Sequence, residues 1–504
     1  MNQRELSIPL IERAEGHRER VAIIDREGEH SYAALLEASA RVAGHLLAGA
    51  EDLQEARVTF MVPPGFQYVA VQWGIWRAGG IAVPHCLTHP PRELDYVLED
   101  TGAQLVVAHP EYLPVLAPLT RQRGIRLLST EAVFSPIQCA LPSIDPARRA
   151  MILYTSGTTS RPKGVVLTHN NLTAQITSLI QAWAWVPEDH ILHVLPLHHT
   201  HGIVNALCCA LWAGARCEML PRFDEVEVWR RFQERPLTLF MAVPTIYVRL
   251  IRYWESVPAE QQQALSAAGR KFRLMVSGSA ALPVQVFRRW QDITGQVLLE
   301  RYGMTEIGMA LSNPLHGERR PGTVGQPLPG VSVRLVDETG TPIQQEGVPG
   351  EIQVKGPNVF LEYWQRPDAT RQAFRDGWFC TGDMAVVEQG YYRILGRKSV
   401  DIIKTGGYKV SALEIEDVLR EHPAIAECAV VGIPDPEWGE RVAAAVVLRP
   451  SQTLTLETLK AWARQHLAPY KLPRALKIVR SLPRNALGKV TKPAVKDLFS
   501  EQPG

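Results

Sequence analysis

The chain has 504 residues, of which 46% are hydrophobic and 21% are charged, and its formal net charge is +2. This length exceeds one ordinary domain, and the composition is typical of globular proteins rather than of disordered or fibrous chains. A net charge so close to zero gives no reason to expect a nucleic acid or an anionic membrane as a partner.

Apolar periodicity predicts helices and buried strands that alternate through most of the chain. The predicted elements, in chain order, are a helix capped by Ser31, buried strands at 58–62 and 105–108, a helix through 172–180 and a buried strand at 239–243. Such alternation favours a layered α/β architecture with largely parallel sheets. We therefore predict an α/β fold in which a large N-terminal region combines parallel-sheet subdomains with a small β unit.

In roughly the last hundred residues, the pattern of predicted elements changes from alternating helices and buried strands to short strands around a short helix. A strand at 391–395 precedes Gly396, a short helix begins at Ser411 with Glu414 in a capping-box pattern, and strands follow at 429–433 and 442–448. This pattern predicts a small α+β domain. We place the boundary at Gly396 to Ser399, which gives domains of 1–396 and 397–504.

Targeting and membrane signals are weak in this sequence. No apolar core of signal-peptide length follows the N-terminal residues, and the longest nearly apolar stretch, 202–215, is too short to cross a bilayer and contains Asn205. The sequence therefore predicts no membrane insertion and a cytoplasmic location, although a mature organellar matrix enzyme would look the same.

The seven cysteines do not form a recognisable framework. None is part of a CxxC pair, Cys208 and Cys209 are adjacent, and Cys86 stands alone between histidines. We expect buried free thiols in a reducing compartment rather than disulfides or a zinc site.

A loop rich in glycine and hydroxyl groups follows the apolar run 151–154. It reads Thr155-Ser156-Gly157-Thr158-Thr159-Ser160-Arg161-Pro162-Lys163. Backbone N–H groups, hydroxyls and a lysine can bind phosphates, but the spacing is not that of a Walker A loop. The same cluster also fits a solvated turn, so this motif alone leaves both interpretations open.

Further motifs follow in order. They are Arg301-Tyr302-Gly303-Met304-Thr305-Glu306, Thr381-Gly382-Asp383, Gly396-Arg397 and Pro483-Arg484-Asn485-Ala486-Leu487-Gly488-Lys489. Together with the loop, they resemble the adenylate-forming superfamily of acyl-CoA synthetases, luciferases and peptide-synthetase adenylation domains, over essentially the whole chain. The resemblance implies an enzyme that uses ATP and Mg²⁺ to convert a carboxylic acid to an acyl-adenylate and then transfers the acyl group to coenzyme A. It also implies a mobile C-terminal domain.

The resemblance assigns roles to individual residues. Residues Thr155 to Lys163 would hold the β- and γ-phosphates; Gly278, Ser279, Ala280 and Tyr302 would line the adenine site; Gly303 and Met304 would also bind ATP. Thr305 would contact the α-phosphate; Glu306 would help to hold Mg²⁺; Asp383, with Arg397, would bind the ribose; and Lys489 would bridge the acid and the α-phosphate. For the second step, Lys404, Gly406, Gly407 and Tyr408 would contact coenzyme A and Ser399 would be the hinge. A carboxylate needs no general base to attack phosphorus, so alignment and cations are what the site must supply.

Two positions depart from the family pattern. Ser160 stands where glycine is usual, and a positive φ there would strain serine. Ser399 replaces the usual hinge Asp or Lys, although Lys398 and Asp401 flank it.

The segment Pro196-Leu197-His198-His199-Thr200-His201-Gly202 matches the one that lines the acyl pocket in the family. His199 matches the gating histidine, and Thr200 and His201 would add polar groups to the wall, with Met309 as an apolar wall. Three histidines could also bind a metal, but no carboxylate or cysteine is placed to complete such a site.

Arg301 is the strongest clue to the acid. Neighbours in a strand point to opposite faces, so Glu300 and Arg301 cannot both face one pocket. A buried guanidinium needs a partner, which would be either a protein acid or the second carboxylate of a small dicarboxylic substrate. With the histidine segment and the Lys404-Thr405-Gly406-Gly407-Tyr408 loop, this makes the chain similar to malonyl-CoA synthetases of the mitochondrial type.

The leading hypothesis is therefore activation of malonate, or methylmalonate, to its CoA thioester. The alternatives are a medium-chain or aromatic acid:CoA ligase, an adenylation enzyme that loads a carrier protein, and a non-catalytic nucleotide-binding protein. Retention of Lys489 and Glu306 argues against the last.

Overall fold

The computed structural model describes residues 7–155, 162–405, 408–484 and 490–500. Within these residues the chain divides into two compact units. The first comprises residues up to 332 together with 354–377, and the second comprises 333–353 together with the residues from 378 onward. The domain boundary predicted at Gly396 to Ser399 stays a prediction.

The bounds of the regular elements are as follows. The strands are β1 (Val21–Asp25), β2 (Gly28–Ser31), β3 (Arg57–Met61), β4 (Ile81–Pro84), β5 (Leu105–Ala108), β6 (Arg126–Ser129), β7 (Arg149–Thr155), β8 (Lys163–Thr168), β9 (His190–His193), β10 (Arg216–Met219), β11 (Leu239–Ala242), β12 (Leu274–Ser277), β13 (Leu299–Met304), β14 (Gly308–Ser312), β15 (Gln326–Pro327), β16 (Ser332–Val336), β17 (Gly350–Lys355), β18 (Glu362–Tyr363), β19 (Phe374–Arg375), β20 (Trp378–Glu388), β21 (Tyr391–Arg397), β22 (Ile402–Thr405), β23 (Tyr408–Ser411), β24 (Ile425–Asp435), β25 (Gly439–Leu448) and β26 (Ala475–Ile478). The α-helices are α1 (Pro9–Glu15), α2 (Tyr32–Leu47), α3 (Phe66–Arg77), α4 (Pro91–Thr101), α5 (Leu113–Arg123), α6 (Thr130–Val133), α7 (His169–Trp183), α8 (Cys209–Ala213), α9 (Glu225–Glu234), α10 (Pro244–Ser256), α11 (Ala259–Gly269), α12 (Val284–Thr294), α13 (Pro367–Ala373), α14 (Ala412–Leu419), α15 (Leu456–Ala463) and α16 (Lys492–Asp497). The described residues also contain two 3₁₀ turns, Pro110–Tyr112 and Pro469–Lys471, and a π-helical segment, His201–Cys208.

The first unit contains a nine-stranded sheet in the order β15-β14-β13-β12-β11-β9-β10-β1-β2. The strands from β13 to β1 run parallel, and antiparallel strands close both edges. β9, β11 and β12 are buried along their whole length, as expected for parallel strands covered on both faces. The carboxyl ends of β9, β12 and β13 meet at one edge, where ligands bind in open α/β sheets.

A seven-stranded sheet in the order β18-β8-β7-β4-β3-β5-β6 forms the other layer of the first unit. Its strands from β7 to β6 are parallel, and β8 and β18 extend the edge beside β7 in antiparallel pairing. The buried side chain of Trp76 ties α3 to this sheet, because its Nε1 donates to the carbonyl of Ala150 at 2.7 Å. The predicted layered α/β region with largely parallel sheets is confirmed.

The second unit contains the antiparallel strands β16, β17, β20 and β21, and a sheet in the order β23-β22-β25-β24 with β26 parallel to β25. The predicted helix begins where expected, since the Ser411 hydroxyl accepts from the amide of Glu414 at 3.2 Å. The capping box is only half formed because the Glu414 carboxylate instead accepts from Lys471 Nζ at 2.5 Å. The small α+β domain is confirmed.

The cysteines are free, as predicted, and all seven lie in the described residues. Burial was predicted for them, but Cys139 is exposed and Cys380 is only half-buried. No helix among the described residues is both long enough and apolar enough to span a membrane.

Candidate active site

A β-hairpin brings the two ends of the predicted phosphate loop together. Thr155 at the end of β7 pairs with Lys163 at the start of β8, and the Thr155 hydroxyl lies 3.4 Å from the Lys163 carbonyl oxygen. A hydrogen bond fixes the backbone of Pro162, since its carbonyl accepts from the Tyr96 hydroxyl at 2.7 Å. The rest of the loop lies outside the described residues: Ser156, Gly157, Thr158, Thr159, Ser160 and Arg161. The backbone strain predicted for Ser160 therefore stays a prediction.

Tyr363 connects the lysine of this hairpin to the predicted metal-binding carboxylate. Lys163 Nζ lies 4.2 Å from the centre of the Tyr363 ring, and the Tyr363 hydroxyl donates to Glu306 Oε1 at 2.8 Å. Glu306 and Tyr363 are both buried. Sequence reasoning missed Tyr363, because nothing in its local pattern distinguishes it from an ordinary edge-strand tyrosine.

Tyr302, Gly303, Met304 and Thr305, four of the residues predicted to bind ATP, lie on a hairpin of β13 and β14. β13 continues through Met304, so Tyr302 lies within the strand rather than in the loop beyond it. Gly303 is opposite Met309, and a Cβ at Gly303 would be 2.0 Å from the carbonyl oxygen of Gly308. Glycine is thus the residue that lets the two strands approach at this point. Thr305 follows β13 directly.

Gln175 on α7 holds the second strand of that hairpin. Its side-chain oxygen accepts from the amide of Met309 at 2.7 Å, whereas its Nε2 is buried with no hydrogen-bond partner within the described residues. Met309 itself is buried. The sequence singled out Met309 but missed Gln175, which lies far from it in the chain.

Arg301 lies on β13 with only 3% of its surface exposed. Its Nε and Nη2 atoms are buried and have no hydrogen-bond partner among the described residues. Glu300, on the opposite face, is directed elsewhere, since its Oε1 accepts from the amide of Leu282 at 3.0 Å. The protein-acid explanation for Arg301 is therefore not supported by the described contacts.

The turn after β12 makes room for this guanidinium. A Cβ at Gly278 would lie 2.3 Å from Arg301 Cζ, so any side chain there would displace the arginine. The next residue, Ser279, has a left-handed φ of 70°, which is uncommon for serine. Its hydroxyl lies 3.1 Å from His201 Nδ1, so Arg301 and His201 flank the same turn. Ala280, which follows, is exposed.

The histidine segment contributes further buried polar atoms without partners. His199 Nε2, Thr200 Oγ1 and His201 Nε2 are all buried, and none has a hydrogen-bond partner within the described part of the chain. The segment leads into the π-helical turn His201–Cys208, a distortion that is frequent at functional sites. Because buried polar groups normally have partners, this concentration of unpaired atoms indicates a place where a polar ligand binds.

Burial dominates the electrostatics of these groups. It lowers the pKa of Arg301 to about 9, with the charge of Glu300 opposing the shift. Burial also lowers the pKa of His199 to about 3, helped by the nearby charges of His198 and His89. The pKa of His201 falls well below its ordinary value through burial and then through the charge of Arg301. His199 and His201 are therefore neutral at pH 7 and can act as hydrogen-bond donors or acceptors near the Arg301 cation.

No group of three or more His, Cys, Asp and Glu side chains within the described residues has the geometry of a metal site. The metal alternative for the histidine segment is thus unsupported. Glu306 remains a single buried carboxylate, which suits Mg²⁺, because that ion is usually held by one or two carboxylates together with substrate phosphates.

In the second unit, Asp383 and Arg397 face each other across β20 and β21. Arg397 Nε donates to Asp383 Oδ1 at 2.9 Å, and its Nη2 donates to the carbonyl of Thr381 at 3.2 Å. The backbone amide of Arg397 donates to Asp401 Oδ2 at 3.0 Å. This places the predicted ribose-binding pair together.

The predicted hinge and coenzyme A residues lie just beyond this pair. Ser399 follows β21, and Lys404 lies on β22, where its amide donates to Glu440 Oε2 at 2.8 Å. Tyr408 is 54% exposed and stacks on Tyr470 with ring centres 4.2 Å apart. Gly406, Gly407 and Lys489 lie outside the described residues.

Two family profiles match this chain. The one described as AMP-binding enzyme covers residues 10–364, and the AMP-binding enzyme C-terminal domain covers residues 414–489. The chain belongs to the AMP-binding enzyme family. The membership confirms the resemblance that the motifs indicated, including the order of the two regions along the chain.

Named relatives of this AMP-binding enzyme are similar over nearly its whole length. It is 48% identical to "Malonate--CoA ligase ACSF3, mitochondrial" of Homo sapiens, covering 97% of this chain and 92% of that protein. It is 43% identical to "Malonate--CoA ligase" of Arabidopsis thaliana, over 90% of this chain and 80% of that protein. Its fold matches the crystal structure of ATP-bound MatB from Rhodopseudomonas palustris with a TM-score of 0.90 and 34% identity, over 98% and 99% of the two chains.

Proposed function

We propose that this enzyme ligates malonate to coenzyme A in two steps. ATP and malonate first give malonyl-adenylate and pyrophosphate, and the thiol of coenzyme A then displaces AMP to give malonyl-CoA. The observation that carries the choice of malonate is the buried guanidinium of Arg301, whose Nε and Nη2 have no hydrogen-bond partner among the described residues. Relatives named malonate–CoA ligases, 43% and 48% identical, support the same choice.

We propose that the second carboxylate of the substrate is the partner of Arg301 Nε and Nη2, which have none among the described residues. Malonate uses one carboxylate in adenylation and carries the other into the pocket as an anion. An isolated buried charge is costly, so a bidentate guanidinium–carboxylate pair relieves both ions at once. The nearby Thr200 hydroxyl and His201 Nε2 are buried and unpaired among the described atoms, and both can donate to the same carboxylate.

For the first step, the chain must align two anions and offset their charge. We propose that Lys163 and the loop before it bind the β- and γ-phosphates, that Thr305 contacts the α-phosphate, and that Tyr302 stacks on adenine beside residues 278–280. Asp383 with Arg397 would bind the ribose hydroxyls, and Lys489 would bridge the attacking carboxylate and the α-phosphate. These roles come from the family pattern, and the described geometry of Lys163, Tyr302 and Asp383 is compatible with them.

Mg²⁺ fits the donor set at Glu306. The carboxylate is a hard oxygen ligand, and the Tyr363 hydroxyl bonded to Oε1 fixes its orientation. When bound, the ion would neutralise charge on the triphosphate. Tyr363 would orient the Glu306 carboxylate, and Lys163 would bind the phosphates beside it.

The second step needs a thiol, for which coenzyme A is our proposal. Ser399, Lys404, Gly406, Gly407 and Tyr408 are the residues that we expect to turn or contact the acceptor. A carrier protein is the alternative acceptor. Either thiol could attack the same adenylate, so the acceptor must be determined by competition.

The proposal is tested by measuring pyrophosphate release with malonate, methylmalonate, succinate, butyrate, octanoate and benzoate, each with and without coenzyme A. We expect kcat/KM to be highest for malonate and the thioester to form only with coenzyme A. A preference for octanoate or benzoate would favour the medium-chain or aromatic acid ligase. Faster transfer to a phosphopantetheine carrier protein than to coenzyme A would favour the carrier-loading reading.

The cellular compartment of this enzyme is also a proposal. A cytoplasmic location was predicted from the sequence, whereas the human relative is named as mitochondrial. We propose an aqueous compartment that supplies malonate, ATP and coenzyme A, and localisation of a tagged full-length chain would decide between cytosol and organelle.

A further inference from the structure

A cysteine and four histidines meet beside the acyl-site segment of the first unit. This Cys86 cluster consists of His85 and Cys86, which follow β4, His89, and His198 and His199, which follow β9. The ring centres of His89 and His198 are 6.1 Å apart, and those of His198 and His199 are 4.1 Å apart. Cys86 Sγ lies 3.3 Å from the Thr88 hydroxyl. The cluster thus joins a thiol to the wall that contains the predicted gating histidine.

The imidazoles of this cluster have unused proton-binding capacity. His85 is only 5% exposed, and neither of its ring nitrogens has a hydrogen-bond partner among the described residues. His89 Nδ1, His198 Nε2 and His199 Nε2 are likewise buried and without partners in the described part of the chain. On its other side, His89 Nε2 lies 3.3 Å from Glu93 Oε2, so a carboxylate stabilises a positive charge on this ring. Of these rings, His89 favours uptake of the thiol proton because it faces this carboxylate, whereas burial lowers the pKa of His85 and of His199 to about 3.

The ionisation of Cys86 differs from that of the other buried thiols. Burial by itself would raise the pKa of Cys86, but its interactions with His198 and His89, and with the Thr88 hydroxyl, lower it to about 5. The same interaction with Cys86 raises the pKa of His89. Burial instead raises the pKa of Cys208 and of Cys428 to about 12. Because the thiolate is the reactive form of cysteine, Cys86 is the buried thiol that is set apart chemically.

We propose that Cys86 is a peroxide-reactive thiol whose oxidation to a sulfenic acid inhibits acid activation. The thiolate sulfur attacks one oxygen of hydrogen peroxide, so that an S–O bond forms while the O–O bond breaks. Sulfur loses two electrons and the peroxide gains them. The departing hydroxide takes the proton held by the neighbouring imidazole and leaves as water.

Reduction by thiols reverses this step. One thiol condenses with the sulfenic acid to a mixed disulfide and water, and a second thiol releases Cys86 as the thiolate. Cys86 is 6% exposed, which favours a small oxidant over a bulky one. The geometry of the cluster does not suit a metal ion, since no such group occurs among the described residues.

Inhibition follows from the position of the cluster. His198, which interacts with Cys86, and His199 directly precede in the chain the residues Thr200 and His201, which we assign to the carboxylate of the substrate. An added oxygen, and its charge when ionised, would disturb this wall and repel a dianionic acid. This consequence depends on the proposed function, whereas the oxidation of Cys86 does not.

The modification is tested on the full-length protein without substrate. After brief exposure to hydrogen peroxide, sulfenic acids are trapped with dimedone and located by peptide mass spectrometry. We expect the adduct on Cys86 in preference to Cys139, which is exposed and serves as the internal comparison. An adduct on Cys139 with none on Cys86 would show that exposure, not the histidine cluster, decides reactivity, and would overturn the proposal.

A pH profile of iodoacetamide labelling gives an independent measure. With a pKa of about 5, the labelling rate of Cys86 should change less than about twofold between pH 6.5 and 9. An ordinary thiol with a pKa near 8.5 would become roughly a hundredfold more thiolate-rich over a similar range. A profile for Cys86 that rises through pH 8.5 would contradict a thiolate–imidazolium pair.

Inhibition is tested with Cys86→Ser and the matched control Cys139→Ser. Neither residue has been assigned to the binding machinery, so both variants should keep the basal rate. We expect peroxide to inactivate Cys86→Ser at least about tenfold more slowly than the wild type or Cys139→Ser, with recovery of the wild type in dithiothreitol. Equal inactivation of all three proteins would refute inhibition through Cys86. If Cys86→Ser does not fold, Cys86→Ala and the wild-type mass spectra decide the point, and failure to activate malonate at all would reject the proposed function while the labelling result still stands.

Discussion

Replacing Arg301 by methionine is the perturbation that most directly probes the substrate. Methionine keeps an unbranched side chain of similar length but removes the guanidinium. A pKa of about 9 instead of 12.5 corresponds to a destabilisation of the charged side chain on the order of 5 kcal/mol, at about 1.4 kcal/mol per pH unit. Under the proposed function, the free enzyme carries this unfavourable burial until the substrate carboxylate binds.

Two opposite effects are expected from Arg301→Met. Without substrate, loss of an unpaired buried charge should raise the melting temperature by a few degrees, since replacing buried ionic groups by apolar ones is often neutral or stabilising by about 1–4 kcal/mol. With malonate, loss of the partner for a buried carboxylate should cost about 3–5 kcal/mol, which lowers kcat/KM by at least about a hundredfold. The ratio of kcat/KM for butyrate to that for malonate should rise.

The assay measures kcat/KM for malonate and butyrate by pyrophosphate release, together with thermal melting and ATP binding. Arg319→Met is the matched control, because Arg319 is another arginine whose pKa is lowered by burial but whose guanidinium donates to the carbonyls of Pro314, Val297 and Leu315. The control should lower the melting temperature and leave the butyrate-to-malonate ratio unchanged. A folded Arg301→Met enzyme with wild-type efficiency for malonate would refute the dicarboxylate reading.

Further outcomes are expected at other sites. Tyr363→Phe removes the hydroxyl that donates to Glu306, so the Mg²⁺ concentration for half-maximal pyrophosphate release should rise about tenfold with little change in the KM for malonate; an unchanged Mg²⁺ requirement would contradict the positioning role. Lys489→Ala should abolish adenylation but spare thioester formation from synthetic malonyl-adenylate, whereas equal loss of both half-reactions would argue against a role confined to the first step. Burial, and then the charge of Arg148, lowers the pKa of His169 to about 3, so its contribution to stability is present above the unfolded-state pKa of about 6.5 and falls by about 1.4 kcal/mol per pH unit below it. His169→Gln should reduce this slope in thermal melts between pH 7 and 5, and an unaltered slope would contradict the assignment.

The sequence by itself determined the family and the layered α/β architecture, and it predicted the residues of the candidate ATP site. Helices and buried strands could be predicted because their apolar periodicities are local, as for the helix capped by Ser31. The adenylate-forming motifs could be recognised for the same reason, since each is a continuous stretch whose order along the chain is itself diagnostic. Arg301 was also singled out from its neighbours, together with the two alternatives for its partner.

Only the tertiary structure shows which described atoms lie near Arg301, and the assignment of a substrate carboxylate as its partner stays a proposal. The partners of a buried side chain come from distant parts of the chain, so spacing cannot say whether a charge is satisfied. Arg301 lies against Gly278 with unpaired nitrogens in the described structure, while Glu300 binds the amide of Leu282. For the same reason, the sequence could not predict the hydrogen bond from Tyr363 to Glu306, which are 57 residues apart. It also could not predict the interactions of Cys86 with histidines. The local sequence pattern determines the helices and strands. The chemistry of ligand binding depends instead on which polar side chains the tertiary structure buries without a hydrogen-bond partner.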